Sequence, residues 1–219
     1  MNTLFNLLLF LHILAGSISL LIGTLVLALK KGDRRHRLLG KIFYYGMIVN
    51  GLASLVLALL HPNPVLFTVG IFSLYMVLTG RRVLRLRQIS DSIQPDTFDW
   101  FLMGMMGFFG LVSIGMGLYS GVKGQAFGLV SVVFGAIGLL FVRQDITYFK
   151  NNSKQSEDWL KIHLTKMMGS YIAAFTAFLV VNNTLLPDVV AWLLPTLVGS
   201  ALITKWRIDI RNGATSSAT

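Results

Sequence analysis

Four histidines, His12, His36, His61 and His163, are the side chains of this sequence best suited to ligand chemistry near neutral pH. His12 falls inside a long apolar run and shares a helical face with Gly16, Ser19 and Gly23. A second run places Gly46, Asn50, Ser54, Ala58 and His61 within about 40° of one another at 100° per residue. An unpaired amide in hydrocarbon is costly, so Asn50 is expected to pair across to another helix, with His12 as its partner. A third run adds Thr68, Tyr75 and Thr79 as one stripe, with Arg82 about a turn further on. Together these stripes could line a small polar cavity; interhelical hydrogen bonding accounts for them equally well.

A second constellation gathers at the opposite helix ends: His36, Asp145, His163 and Lys166. Two imidazoles and a carboxylate from separate segments have the donors of a three-ligand metal site with an open position, His36 and His163 being the candidate metal ligands. The spacing of an H-x-x-x-H or H-E-x-x-H motif is absent. A bis-histidine haem needs two histidines at equal depth on facing helices. His12 and His61 differ by roughly 9 Å in depth, whereas His36 and His163 match but lie at the edge of the bilayer. Arg34, Arg35 and Arg37 around His36 repel a cation and favour an anionic lipid headgroup.

The elements that must position these groups are membrane spans. The 219 residues are 54% hydrophobic and only 13% charged, with mean hydropathy +0.69, against about 25% charged in typical soluble domains. A spanning helix needs about 20 apolar residues. Seven such segments run over 4–29, 42–60, 65–80, 100–120, 126–142, 162–181 and 189–204, the last of which a re-entrant reading would leave short of full crossing. The stretch from Lys30 to Lys41 holds six of the nineteen Lys and Arg residues and reads as a cytoplasmic loop. Every Lys and Arg except Lys123 then falls inside or at an inner helix end. The expected fold is an all-α integral membrane bundle of seven transmembrane helices over 1–211, N-terminus outside, C-terminus cytoplasmic, with a flexible tail at 212–219.

Composition also removes function classes. With no cysteine there is no disulfide, thiolate metal site or Cys nucleophile. The net charge of +10 sits in short blocks between apolar runs, which argues against nucleic acid. No Asp or Glu is expected near the bilayer midplane, Asp145 being placed at an inner end; this weakens a carboxylate-coupled transporter. Glycines and small residues share faces on the fourth segment (Gly110, Ser113, Gly117, Gly121) and the fifth (Gly128, Ser131, Gly135), predicting a closely packed antiparallel pair.

The run Leu11-His12-Ile13-Leu14-Ala15-Gly16, followed by His36-Arg37-Leu38-Leu39-Gly40-Lys41-Ile42-Phe43-Tyr44, resembles the opening of a bacterial family of predicted membrane proteins, domain of unknown function 2306. His163-Leu164-Thr165-Lys166-Met167-Met168-Gly169-Ser170-Tyr171 is similar to its second block, with Lys166 where the family often has Arg or Trp near the Met. The resemblance implies a helical protein of the bacterial inner membrane and points to His12, His36 and His163, without an activity. The leading expectation is binding of a divalent metal, haem or small ligand by histidines in the bundle. The alternatives are a transporter or channel for a small uncharged solute, lined by His12, Asn50 and Tyr75, and a scaffold holding anionic lipid or a partner protein. The bilayer itself is the expected partner, and a homo-oligomer is left open.

Overall fold

A computed structural model describes residues 3–89, 94–125, 127–151 and 158–213. It contains seven helices: α1 (Thr3–Ala28), α2 (Arg34–Leu60), α3 (Pro64–Ile89), α4 (Thr97–Val122), α5 (Phe127–Asn151), α6 (Asp158–Val181) and α7 (Asp188–Arg211). All seven are long and apolar enough to cross a membrane, the last included. Large apolar side chains such as Leu4, Phe10, Leu21, Phe101, Phe108 and Leu197 remain exposed on the bundle surface, where lipid tails rather than water are the favourable solvent.

The helices run further than the apolar segments that announce them, chiefly at the basic end. α2 starts eight residues before Ile42, so Arg34, Arg35, His36 and Arg37 form its first turn instead of a loop. Asp33 begins it: its side-chain oxygen accepts from the His36 N–H at 2.6 Å, satisfying one of the free donors at a helix start. Gly32 turns the chain into that cap with a φ of 81°, a backbone region that L side chains avoid. Lys31 folds back the other way. Its Nζ donates to the carbonyls of Val26 at 3.0 Å and Leu27 at 2.6 Å, closing α1 with a cation at its negative end. Burial there pushes the Lys31 ammonium below its ordinary pKa. α3 likewise continues nine residues past Gly80, and α5 nine past Val142. Hydropathy ends where charge begins, but backbone hydrogen bonding does not, and long basic side chains carry their charge outward. Of the tail, Asn212 and Gly213 close α7; residues 214–219 lie outside the described residues.

α3 is the hub. Two-thirds of its spanning stretch is buried, against a third or less for every other helix. It packs against α2, α4, α5 and α6, which is why it tolerates the least apolar sequence of the seven. Around it, α4 and α5 form the expected antiparallel pair. A Cβ on Gly117 would sit 2.6 Å from the Gly128 carbonyl oxygen, and one on Gly135 would sit 2.6 Å from that of Gly110. The two backbones are therefore in direct contact, an approach only glycine permits. Gly104, Gly107 and Gly115, on the same helix, face open space instead.

α4 begins at a reciprocal capping pair. Asp96 caps it, accepting from the Asp99 N–H, and Asp99 accepts the Asp96 N–H in return, each at 3.0 Å. The backbone N–H of Asp99 holds the Asp96 carboxyl below its usual pKa. Trp100, 55% exposed, stands just inside this end of the helix, where amphipathic rings are favoured at a membrane interface.

Candidate functional site

The polar stripe of α3 organises the interior. Thr68 accepts from Ser113 on α4 at 3.3 Å. Two turns along, Tyr75 donates its hydroxyl to Asp145 Oδ2 of α5. Thr79 faces Lys166 of α6 at 2.9 Å, and Arg82 grips Asp99 of α4 through Nε at 2.5 Å and Nη2 at 2.8 Å. One face of one helix thus ties three others to it.

At the centre of this stripe is a buried charge pair. Lys166 and Tyr75 are fully buried and Asp145 is 5% exposed. The ammonium has three donors, and each finds an acceptor: Asp145 Oδ2 in a short ion pair, Thr79 Oγ1, and the Tyr75 hydroxyl at 3.3 Å. Its Nζ also lies 4.4 Å from the Tyr75 ring centroid, an attractive placement over the ring face. The Thr79 hydroxyl is committed in turn to the Tyr75 carbonyl at 2.6 Å. This overturns the expectation that the bundle lacks a buried acid. Asp145 is not at the end of α5, because the helix continues to Asn151 and carries the carboxylate inward. Lys166 is about 12 Å along the axis from the start of α6.

The centre is closed differently on its two sides. Away from the basic rim, Phe72 stacks in tilted or edge-on contacts with Phe134 at 5.7 Å and Phe141 at 6.2 Å. With Ile71 and Ala173 these rings form an apolar layer. Beyond it lies a cavity of about 20 Å³ lined by Thr68, Ser113, Ser131 and Trp192 among others, room for a water molecule and nothing larger. Toward the basic rim, the next polar group along α3 is the Arg82–Asp99 pair, with exposed Asp96 2.5 Å from Arg82 Nη2. Asp99 is 3% exposed. Because it weakens two charge-assisted hydrogen bonds to Arg82 and leaves the guanidinium only the exposed Asp96 carboxylate, Asp99→Asn should cost about 2 kcal/mol in a detergent or urea unfolding titration. Asp96→Asn, at the exposed end of the same guanidinium, should cost little, since the amide still caps α4.

The histidines go elsewhere. His12 Nδ1 donates to the backbone carbonyl of Asn50 at 3.1 Å, so the expected pair of helices meets but through the backbone. The Asn50 side-chain oxygen is buried with no partner and faces Gly16, whose Cβ would be 3.0 Å away. His61 is exposed, edge-on to Phe5 at 4.4 Å. Tyr75 pairs with Asp145 of α5 and Lys166 of α6. His163 Nδ1 donates to the Gly80 carbonyl at 2.8 Å. The expected His36, Asp145 and His163 metal set is not assembled, since Asp145 is taken by Lys166 and Tyr75. Among the described residues no group of three His, Cys, Asp or Glu could hold a metal ion. Arg34, Arg35 and Arg37 are exposed. The sequence places Arg82 on the α3 stripe and Asp99 at the start of α4 but does not pair them; only the packing of α3 against α4 brings the two together.

Seven apolar helices around a polar α3 stripe define a multi-pass α-helical membrane protein. Residues 9–93 match the model of a family described as Predicted membrane protein (DUF2306). The match contains His12, His36, Tyr75, Thr79 and Arg82 and ends before Asp99, so the resemblance is established for the first block and not for the block at His163–Tyr171. Comparisons with curated proteins and with solved structures give no match.

Proposed function

We propose that this protein is a proton-responsive membrane transport protein of the bacterial inner membrane, with Asp145 as the proton acceptor and Lys166 as its released partner. The observation that carries this reading is the Lys166–Asp145 pair itself, buried in a membrane bundle. Ionisable groups there are expensive to retain and characteristically mark ion or proton pathways. A proton reaching Asp145 converts the carboxylate to the acid, ends its attraction to Lys166, and frees the ammonium and the Tyr75 hydroxyl to reorient. The aromatic layer of Phe72, Phe134 and Phe141 closes the pair from the far side, and opening of the buried Val83, Tyr148 and Ile162 cluster would admit protons from the basic rim. Helix movement past that layer would expose the same pair to the other side. By the excess of Lys and Arg on its connections, the rim is assigned to the cytoplasm.

The test uses purified protein in lipid nanodiscs and sealed vesicles. Infrared difference spectra recorded during solute-driven turnover should show a carboxylic-acid band that is missing in Asp145→Asn. A panel of small solutes offered to vesicles loaded with a pH dye should include one that moves protons with wild type and not with that variant. Absence of both signals sinks the reading and leaves the pair a structural brace.

A further inference from the structure

The close contacts at glycine divide the bundle into two bodies. Among the described residues, every glycine whose Cβ would meet another helix does so inside one of two groups. α4 and α5 form the smaller group, joined backbone to backbone through Gly117 and Gly128. The larger holds α1, α2, α3, α6 and α7. Here side chains press onto bare backbone: Tyr171 of α6 onto Gly23 of α1, Leu74 of α3 onto Gly51 of α2, Met76 of α3 onto Gly169 of α6, and Ile172 of α6 onto Gly199 of α7. A side chain lodged in the gap a glycine leaves keys one helix to the next, so each group resists internal movement. No glycine contact of this kind joins the two groups among the described residues.

The seam between the bodies is built from side-chain tips. At the basic rim Arg82 of α3 holds Asp99 of α4. At the centre Tyr75 of α3 and Lys166 of α6 hold Asp145 of α5. On the far side Thr68 of α3 accepts from Ser113 of α4. Ring contacts fill the spaces between these ties, among them Phe67 with Phe109 at 5.4 Å and Phe134 with Trp192 at 5.9 Å. The water-sized cavity lies on the same seam, with Thr68 and Trp192 on one wall and Ser113 and Ser131 on the other. Both ion pairs of the interior network therefore cross the one boundary that glycine packing leaves unkeyed. An interface of this kind shifts by side-chain swings between two packed arrangements.

We propose that the α4–α5 hairpin moves as one body against the other helices, pivoting on the Arg82–Asp99 clasp, and that its movement opens the cavity to water as the far-side entrance to Asp145. This rests on the transport reading above. Facing Asp145 are Tyr75 from α3 and Lys166 from α6, and the next charges along the seam are Arg82 of α3 and Asp99 of α4. Neutralising Asp145 removes the central tie while the clasp at the rim holds, so the seam opens on the side of the cavity.

The chain has no cysteine, so single thiols report the seam directly. Ser113→Cys puts one on the seam, and Ser19→Cys puts one between α1 and α2, where Ser19 is fully buried within the larger body. Each protein, in lipid nanodiscs, is offered a water-soluble methanethiosulfonate. Adding Asp145→Asn should raise the rate at position 113 about tenfold, as an open state of about 1% becomes one of about 10%, and leave the rate at position 19 unchanged. Tyr75→Phe cuts one of the two central ties at smaller cost; it should give a smaller rise at 113 and serves where Asp145→Asn does not fold. Unchanged rates at 113 in both variants overturn the proposal, as does an equal rise at 19, which marks general loosening. The transport reading fails separately: if the seam opens but no acid band appears during turnover, the two bodies stand and the proton role of Asp145 falls.

Discussion

Lys166→Met should lower the unfolding free energy by about 4 kcal/mol, because it strands the Asp145 carboxylate in the bundle with only the Tyr75 hydroxyl to stabilise it. Asp145→Leu should be similarly damaging, leaving an ammonium whose remaining acceptors are Thr79 and Tyr75. The double variant should recover most of the loss. A buried pair replaced by apolar groups of similar volume is often neutral or stabilising, since desolvation of two ions is avoided along with their attraction. Tyr75→Phe removes one charge-assisted hydrogen bond and should cost about 2 kcal/mol. Reversible unfolding in mixed micelles gives the four values. Additive single-variant losses in the double variant would contradict the pairing. The same double variant separates stability from function: well folded, it should show neither the acid band nor proton movement.

Gly128→Val is expected to have the second large effect. The side chain would enter the contact between α4 and α5, where a Cβ at 128 meets the Gly117 carbonyl oxygen and lies 2.7 Å from the Gly121 nitrogen. Neither is a flexible side-chain tip, so the helices must part, at about 3 kcal/mol. Separation of this pair also disturbs the Met106 contact with Gly138 and the face of α5 that carries Asp145, so proton uptake should fall with stability. Gly104→Ala, Gly107→Ala and Gly115→Ala, which enter open space on α4, should be neutral or slightly stabilising through helix propensity. Melting temperatures for the set distinguish contact glycines from lipid-facing ones. A loss at Gly115 equal to that at Gly128 would contradict the packing.

Much of the architecture follows from local physics that one chain reveals on its own. Apolar length requires the seven spans, Asp96 and Asp99 start α4, and repeated glycines foretell the α4–α5 contact. The stripe Thr68, Tyr75, Thr79, Arg82 is legible too, because helical spacing alone aligns it. What lies opposite that stripe is not local. Asp145 and Lys166 are 21 positions apart on different helices, and each reads as a rim charge when a span is taken to end at its first ionic residue. Only packing around α3 turns both inward and matches three donors to three acceptors, because a charge is affordable in lipid only when distant residues meet it. The histidines show the reverse case: their types invited a metal, and tertiary neighbours assigned them instead to the carbonyls of Asn50 and Gly80 and to the edge of Phe5.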